Sequence, residues 1–429
     1  MARADRLSHP YAIAASVLGL ALVVAPLVHH QYDVVDCFLA WSRASEGSRP
    51  WAVYTPGAGA DDCDYPPLVP YWLTLIEAAR RATSAPEVGV LTLTLLKLPN
   101  LLGAFAGVPL CLVGLRAPFG ESAARAAATA YAISPALFVN GLWGQFDALL
   151  AFFVLAALVA ALHDRPALVG MALGLGLATK LLAIVAVPLL AVYLFRRAGL
   201  KAVGIGVAAG AATMLALALP FVLGGAGDAV LRAYTGAVHY YPYRTAEAYN
   251  TWYVADRFDV LVRGLPYPLI RRDDRLAIGA VTYRALGLGA FALATGALMA
   301  ALWRRPNPRL LVFALTLHLF AFFMLPTQVH QRYIVPAAAV AAVLVAIRRE
   351  AAWLWIGLTL TATLNQALDL ARALPSTQAV RGALTADLFA LPLRTWRDLG
   401  AVVGLANLAL FLGAVWAFWR GRMASDTPE

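Results

Sequence analysis

The sequence predicts an all-α polytopic membrane protein with about 12 transmembrane helices. Of its 429 residues, 61% are hydrophobic and only 14% are charged, and the mean hydropathy is +0.70. This apolar content exceeds what the core of a soluble domain can bury. Apolar runs that suit a hydrocarbon layer of about 30 Å, which takes roughly 20 residues to cross, recur along the whole chain. The sequence therefore indicates one membrane-embedded unit over residues 1–429.

The apolar segments set the predicted helices. The predicted spans are 11–28, 88–113, 122–138, 146–162, 166–178, 181–195, 201–223, 276–302, 310–325, 334–347, 351–368 and 399–419. Segment 66–79 is apolar but short and ends at Arg80-Arg81, which predicts an interfacial or re-entrant helix rather than a crossing. The fifth and sixth spans meet at Lys180, and one long tilted helix is the alternative there.

The basic residues predict the orientation. The net charge is +10, and with a cytoplasmic N-terminus pairs such as Arg304-Arg305 and Arg348-Arg349 fall in short inner loops. No basic stretch is interleaved with aromatic residues, so the charge indicates membrane topology and not nucleic-acid binding. We expect an inner-membrane protein whose chemistry is on the extracytoplasmic side, where most carboxylates lie. The predicted extracytoplasmic loops are 29–87, 224–275 and 369–398.

A carboxylate cluster in the first outer loop carries the clearest chemical signal. Asp61, Asp62 and Asp64 precede the pair Pro66-Pro67. Pro66 restricts the residue before it and suits the first turn of a following helix, so the backbone just after Asp64 has little freedom. A fixed carboxylate is what a general base requires. A solvated loop whose acids cap helices is the alternative.

Two further groups of polar residues are predicted near this loop. Asp33 and Asp36 share one face of an amphipathic helix expected over 33–45 along the membrane surface. Trp143, Gln145 and Asp147 join two helices on the outer side. Asp147 is equally suited to cap the helix 146–162, and the two roles do not exclude each other.

Cations near the outer leaflet form the third set. Lys97, Lys180 and Arg284 fall within or between apolar spans, and Arg332 follows His330 in a short polar stretch. A charge inside a span costs about 2.5 to 3.5 kcal/mol on insertion scales, so such residues usually face partners or a wet cavity. An anionic ligand is the natural partner. Snorkelling and internal ion pairs are the alternatives.

The three cysteines say little about metal or redox chemistry. Cys37 and Cys63 both fall in the first outer loop, where a disulfide and two free thiols are both open. Cys111 lies in a helix. No Cys or His spacing resembles a zinc site. The carboxylates at 61, 62 and 64 are hard oxygen ligands for a divalent ion, but a required metal is not favoured.

Four motifs in order give a resemblance that covers most of the chain. They are Asp64-Tyr-Pro-Pro-Leu68, Pro135 with Trp143-Gly-Gln-Phe-Asp147, Gly174-Leu-Gly-Leu-Ala-Thr-Lys180 and His330-Gln-Arg-Tyr333. The chain resembles the C-type glycosyltransferase superfamily. It is most similar to polyprenyl-phosphate-sugar mannosyltransferase-like proteins and to the glucosyltransferases of N-glycan assembly. One departure is Gln331, where relatives often have glutamate.

The resemblance implies transfer of a hexose, with inversion, from a polyprenyl-phosphate-linked donor to a lipid-linked or envelope glycan acceptor, without a cofactor. It implies that Asp64 deprotonates the acceptor hydroxyl. Residues 243–252 are similar to a segment in the second large outer loop of those proteins. The expected acceptor and sugar residues are Asp33, Asp36, Trp143, Gln145, Asp147, Asn250 and Trp252, and the expected donor-phosphate residues are Lys97, Lys180, His330 and Arg332.

Two other classes stay open from the sequence. A transporter or flippase would explain the many spans and intramembrane charges and predicts an internal repeat, but none is visible. Loops 29–65 and 224–275 are also large and acidic for simple connectors. A lipid-linked glycan polymerase or a scaffolding subunit is the third class.

Overall fold

The structure is a computed structural model that describes residues 2–236, 241–265, 272–347, 349–373 and 393–421. The α-helices in these ranges are α1 Ala2–Val24, α2 Ala40–Ala44, α3 Leu68–Thr83, α4 Val90–Gly114, α5 Arg116–Phe119, α6 Glu121–Ala132, α7 Pro135–Trp143, α8 Asp147–Leu162, α9 Pro166–Thr179, α10 Val187–Leu223, α11 Gly227–Thr235, α12 Thr251–Leu261, α13 Tyr283–Arg304, α14 Pro308–Met324, α15 Val335–Ile347, α16 Ala352–Ala373 and α17 Leu393–Trp419. A π-helix spans Gln31–Leu39, and short 3₁₀ helices span Ala25–Leu27, Pro50–Tyr54, Leu181–Ala186, Gln331–Ile334 and Arg349–Ala351. A small hairpin pairs β1 Leu276–Ile278 with β2 Val281–Thr282.

The helices confirm the all-α polytopic membrane class. Those long and apolar enough to cross a membrane are His9–Leu27, Val90–Gly114, Leu181–Leu223, Tyr283–Arg304 and Arg397–Trp419. Shorter apolar helices are Asp147–Leu162, Pro166–Thr179, Pro308–Met324 and Gln331–Ile347. α8, α14 and α15 form the core and are buried on nearly all sides. Exposed apolar side chains on α10 and α13, such as Leu215 and Leu293, mark the lipid-facing surface.

Two predicted spans have different boundaries in the structure. The predicted span 122–138 is broken at Ser134, because Pro135 lacks a backbone donor and instead begins α7. The predicted span 276–302 begins with the β1–β2 hairpin, whose turn contains Gly279 at φ 56°. α13 therefore starts only at Tyr283.

The chain reverses between the two halves of α10. Gly199 lies at φ 76°, a left-handed conformation that separates the predicted spans 181–195 and 201–223. A Cβ on Gly174 would lie 2.9 Å from the carbonyl oxygen of Gly210, and Gly170 meets Gly206 in the same way. The residue numbers of the contacting glycines increase together along the two segments. α9 and the second half of α10 therefore run parallel, with their backbones in contact. Small residues four apart permit this close packing in membrane helices.

Several contacts place the inner loops predicted from charge at one end of the bundle. Arg197 forms an ion pair with Asp164 at 2.8 Å, Phe195 stacks on Trp303, and His163 bonds to the carbonyl of Gly114. Each of these residues stands at the end of a helix. The basic residues before and after these helices therefore gather at this end of the bundle, which we call the basic end.

The junction at Lys180 is a break between two helices and not one tilted helix. α9 ends at Thr179, and Lys180 is extended with φ −162° and ψ 138° before the 3₁₀ helix Leu181–Ala186. The sequence alternative of a continuous helix is therefore wrong. The break lies at the end of the bundle opposite the basic end.

The first loop is built from two surface helices. The predicted helix over 33–45 is present as the π-helix followed by α2, and the predicted interfacial segment 66–79 is α3. In the π-helix the i→i+5 hydrogen bonding widens each turn, so Asp33 and Asp36 do not share one face as an α-helix predicts. On α3, the buried Glu77 bonds to both Arg80 and Arg81 at 2.7 Å. Cys37, Cys63 and Cys111 are all free thiols.

The arrangement of helix ends gives a test of topology. In a variant whose three cysteines are replaced by alanine, we expect Asp228→Cys to react with a membrane-impermeant maleimide in intact cells. Asp228 begins α11 and is exposed, at the end away from the basic end. Lys201→Cys, which is also exposed and follows the Gly199 turn, is the matched control and should react only after the membrane is disrupted. The opposite labelling pattern would reverse the predicted orientation.

Candidate active site

A cavity of about 280 Å³ lies where the helix breaks meet, opposite the basic end. One part of its wall is polar and charged, and the other part is apolar. The polar lining comprises Asp33, Asp61, Asp62, Asp64, Gln145, Lys180, Arg284, His330 and Arg332. The apolar lining includes Leu181, Leu182, Ile184, Val185, Leu288 and Phe322. Most of the charged residues singled out in the sequence thus share one space.

Asp64 faces the cavity from a fixed backbone. Its neighbours Tyr65 and Pro66 are buried, and the Tyr65 hydroxyl donates to Gln145 Oε1 at 2.5 Å. The Asp64 side chain is exposed, but the surface it exposes lines the cavity. Burial raises the pKa of the Asp64 carboxyl, and the positive charges of Lys180 and Arg332 partly offset that rise. This carboxylate is therefore a stronger proton acceptor than an ordinary aspartate.

Asp33, in contrast to Asp64, is held in its ionised form. Its Oδ2 accepts hydrogen bonds from Trp143 Nε1 at 2.9 Å and from Gln145 Nε2 at 2.6 Å. Burial favours the neutral acid, but the charge of Arg332 and the hydrogen bonds outweigh it and lower the pKa of Asp33. Two carboxylates of one cavity thus differ: Asp33 stays ionised, while Asp64 is poised to take a proton.

Two cations line the cavity beside these carboxylates. Lys180 Nζ lies 2.8 Å from Asp147 Oδ1, and Arg332 Nε lies 3.5 Å from Asp147 Oδ2. The Lys180 ammonium group also lies over the ring of Tyr333, 4.7 Å from its centroid. Because both cations reach the cavity wall, they are placed to meet an anionic group inside it.

His330 completes this wall as a neutral group. Its ring makes edge-on contacts with Tyr241 at 4.6 Å and Tyr333 at 5.3 Å between centroids. Burial lowers the pKa of His330, and the charges of Arg332 and Lys180 lower it further. At neutral pH the imidazole therefore offers a hydrogen bond and not a charge.

Three predicted site residues do not line the cavity. Asp147 is fully buried and contacts Lys180 and Arg332 instead of the cavity. Trp143 is also buried, where it stacks on His30 at 5.2 Å between ring centroids and donates to Asp33. Asp36 accepts from Gln31 Nε2 at 3.0 Å and does not line the cavity. Their effect on a ligand is therefore indirect.

The predicted sugar-binding residues of the second loop have structural contacts. Asn250 Oδ1 accepts from the backbone N–H groups of Trp252 and Tyr253, and so caps α12. Its amide nitrogen donates to the carbonyl of Phe323 at 3.0 Å. Trp252 Nε1 donates to the carbonyl of Leu325 at 2.7 Å. Neither side chain lines the cavity, because both fasten this loop to the end of α14.

Lys97 is also away from the cavity. It is fully buried in α4 and donates to the carbonyl oxygens of Ala25 and Val28. These carbonyls follow the end of α1, where a helix leaves acceptors without partners. Lys97 is therefore bonded to backbone carbonyl oxygens, and it is not placed to meet the donor phosphate that the sequence led us to expect. Arg284 does line the cavity, but its guanidinium is bonded to Asp273 at 3.0 and 3.1 Å.

Several residues of the site carried no clear signal in the sequence. Tyr65 and Tyr333 belong to two of the quoted motifs, but nothing in the sequence assigned either ring a role, and the fold brings both rings within 6 Å of Lys180. Asp273 is fully buried and accepts from Thr327 Oγ1 at 2.8 Å and from Gln328 Nε2 at 2.7 Å. It joins the second outer loop to the segment before His330. An acid in a charged run such as Arg271-Arg-Asp273-Asp resembles an ordinary exposed residue.

The carboxylates of Asp61 and Asp62 in the first loop have separate hydrogen-bond partners. The Asp61 carboxylate accepts from the Tyr32 hydroxyl, whereas Asp62 Oδ1 accepts from the backbone of Gly57 at 3.1 Å. Among the described residues, no three His, Cys, Asp or Glu side chains are grouped so that they could hold a metal ion. The carboxylates near Asp64 thus have hydrogen-bond partners of their own.

Two crystal structures of one known protein share this fold. The crystal structure of ArnT from Cupriavidus metallidurans bound to undecaprenyl phosphate has a TM-score of 0.51, 16% identity, and a match covering 96% of this chain and 77% of that chain. The apo state of the same protein has a TM-score of 0.53, 16% identity and coverages of 98% and 78%. The oligosaccharyltransferase of Archaeoglobus fulgidus matches at 14% identity over 94% of this chain and 56% of that chain, with a TM-score of 0.41. No curated protein sequence matches the chain.

The family match together with this fold shows a membrane-embedded glycosyltransferase of the C-type fold, as the resemblance implied. The chain belongs to glycosyltransferase family 87, whose sequence model matches residues 65–326. The matched range contains Gln145, Asp147 and Lys180. It begins one residue after Asp64 and ends before His330.

Gln331 is paired with a carboxylate, which gives a test of this part of the site. Gln331 Nε2 donates to Asp369 Oδ2 on α16, and both side chains are buried. We expect Gln331→Glu to destabilise the folded protein by about 2 to 4 kcal/mol, since it places a second carboxylate against Asp369. A lower midpoint of thermal unfolding in detergent is the measurement.

Asp369→Asn in the Gln331→Glu background is the matched control, because the amide then donates to the new carboxylate. It should recover most of the lost stability. If the double variant is no more stable than Gln331→Glu alone, the pair does not account for glutamine at this position.

Proposed function

We propose that the protein transfers a hexose from a polyprenyl-phosphate-linked donor to a hydroxyl group of a lipid-linked or envelope glycan, with inversion, on the extracytoplasmic side of the inner membrane. One observation carries the proposal: Asp64, Lys180 and Arg332 line a single cavity that also has an apolar side, and that side reaches the lipid-facing surface. This combination suits a base, an anionic leaving group and a hydrocarbon tail.

The apolar wall supports a lipid-linked substrate. Ile184 and Leu288 line the cavity, yet they are 53% and 49% exposed. They belong to the 3₁₀ helix after Lys180 and to α13, both part of the membrane-spanning segments. A polyprenyl chain between these elements would leave its phosphate next to Lys180. The undecaprenyl phosphate bound to ArnT supports the same class of ligand.

The charged wall supports group transfer. The acceptor oxygen attacks the anomeric carbon on the face opposite the phosphate, and its proton passes to Asp64. The bond from the anomeric carbon to the phosphate oxygen breaks, and the polyprenyl phosphate leaves with the bonding electrons. Lys180 and Arg332 stabilise the charge that develops on that phosphate. Asp33, which stays ionised, is placed to accept a hydroxyl hydrogen bond from the acceptor or to support positive charge on the sugar ring.

The distribution of basic residues supports an extracytoplasmic position for the cavity. The cavity lies at the end of the bundle opposite the basic end, and basic loop ends remain in the cytoplasm. The resemblance to mannosyltransferase-like proteins and to glucosyltransferases makes mannose and glucose the candidate hexoses and supports a role in building the cell envelope. Purified protein supplied with matched polyprenyl-phosphate-mannose and polyprenyl-phosphate-glucose would identify the sugar. A flippase or transporter would move these lipids without forming a new glycosidic bond.

Asp64→Asn tests the proposed base. It should lower kcat by about 10² to 10⁴-fold while donor binding stays nearly unchanged, because proton removal is needed only in the transition state. In the wild type, turnover should fall as the pH drops through the pKa of Asp64, which burial raises above the ordinary 3.8. Steady-state rates of sugar transfer from pH 4 to pH 9 measure both effects.

Asp62→Asn is the matched control, since this neighbour accepts only a loop hydrogen bond. It should retain most of the activity. Arg332→Ala, in contrast, should weaken donor affinity and turnover together. Near-normal turnover of folded Asp64→Asn, with loss of activity in Asp33→Asn, would assign the base to Asp33.

We also propose that no tightly held divalent metal is required. The carboxylates of Asp61 and Asp62 diverge from Asp64 and have other hydrogen-bond partners. Turnover should therefore be unchanged after treatment with a chelator. Loss of activity that magnesium or manganese restores would reverse this proposal.

A further inference from the structure

Asp147 has no access to the cavity, yet it contacts two residues that do. It is 0% exposed and does not line the cavity. Its two oxygens lie 2.8 Å from Lys180 Nζ and 3.5 Å from Arg332 Nε. A substrate inside the cavity would touch the two cations but not the carboxylate. Direct contact with acceptor or sugar, as expected from the sequence, therefore does not explain this residue.

All three members of the cluster stand at interruptions of helices. Asp147 is the first residue of α8, Lys180 is the extended residue after α9, and Arg332 lies in the 3₁₀ helix before α15. The three helices come from separate parts of the chain. The carboxylate is thus a shared contact that fixes the position of both cations relative to each other.

We propose that Asp147 is a positioning residue that holds Lys180 and Arg332 as a two-cation clamp for the donor phosphate. The inference rests on the proposed function, since the clamp needs a phosphate to bind. It changes the expected role of Asp147 from an acceptor contact to support of the donor site. Asp147 is not a catalytic residue in this account.

The electrostatics around Lys180 give the inference a specific signature. The charged and titratable groups that face its ammonium group are Asp147, Arg332, Asp64, Tyr65, Tyr333 and His330. Burial, the largest effect, lowers the pKa of Lys180 to about 8; the charge of Asp147 opposes this decrease, and the like charge of Arg332 adds to it. Without the Asp147 charge, Lys180 should lose its proton at a lower pH, by about 1 to 3 pH units. Because the clamp needs a protonated lysine, the alkaline limb of activity should move in the same direction.

Asp147→Asn is the main variant, measured by steady-state transfer from a polyprenyl-phosphate-hexose over pH 6 to 10. We expect donor KM to rise about tenfold or more and the alkaline limb to move to lower pH. Adding Lys180→Arg should return the limb to high pH, since a guanidinium group does not titrate in this range. A purely structural role of Asp147 predicts neither the shift nor its reversal.

Asp147→Glu separates position from charge. It keeps the negative charge and lengthens the side chain by one methylene, so the alkaline limb should stay in place while donor KM rises. This variant carries the test if Asp147→Asn does not fold. A Glu variant with wild-type donor KM would overturn the positioning role.

Glu77→Gln is the matched control, because Glu77 is 1% exposed and bridges two arginines but does not line the cavity. It should lower thermal stability without changing donor KM or the pH profile. If folded Asp147→Asn behaves in the same way, the inference is wrong. If the wild type neither transfers sugar from the donor nor binds undecaprenyl phosphate, the proposed function itself fails.

Discussion

The cost of burying charge beside a hydrocarbon layer governs this structure. A lone charge in such surroundings is expensive, and a buried pair is retained only where geometry and hydrogen bonding compensate for lost hydration. The chain meets this cost where its helices are interrupted, because an interruption lets Lys180 or Arg332 turn toward partners from other parts of the sequence. The same interruptions make the cavity. Ion pairing and cavity formation are thus one structural event.

The two cavity carboxylates show how one space supports two protonation states. Asp33 is surrounded by donors, namely the indole of Trp143 and the amide of Gln145, together with the charge of Arg332. Asp64 lines the same cavity without such side-chain donors, so burial by the surrounding protein dominates its pKa and raises it. Environments that push the pKa values of two acids apart in this way are common where one acid must hold a charge and the other must exchange a proton.

Sequence reasoning located residues whose type conflicts with their surroundings. Asp64 stands out beside a Pro-Pro pair, Lys180 between two apolar spans and Arg332 in a short polar stretch, because charge is rare near a bilayer. The fold brings the three residues together. Asn250 and Trp252 were expected from the family resemblance, yet their polar atoms satisfy the backbone at α12 and α14. A polar residue in a membrane protein signals a partner, and sequence alone does not say whether that partner is backbone or ligand.

Other features were beyond a reading of periodicity. The π-helix turns Asp33 and Asp36 apart because its hydrogen bonds span one residue more than those of an α-helix, and the hydrophobic pattern does not distinguish the two. The aromatic rings around Lys180 gave no signal, since tyrosine is ordinary at a membrane interface. The all-α class, in contrast, followed from composition alone, because only helices satisfy their backbone within one segment of a bilayer.

The glycine seam between α9 and α10 has a consequence for how mutations act. Lys180 follows the C-terminus of α9, and α9 is held by backbone contact at Gly170 and Gly174 rather than by side chains that can repack. A methyl group added there would contact backbone atoms, and it has no alternative rotamer that avoids them. The whole helix must then shift as a rigid body. Gly170 lies ten residues before Lys180, about 15 Å away along a helix with a rise of about 1.5 Å per residue. Substitutions in the lipid-embedded half of the bundle, far from any group that meets the sugar, should therefore also reduce the activity of this enzyme.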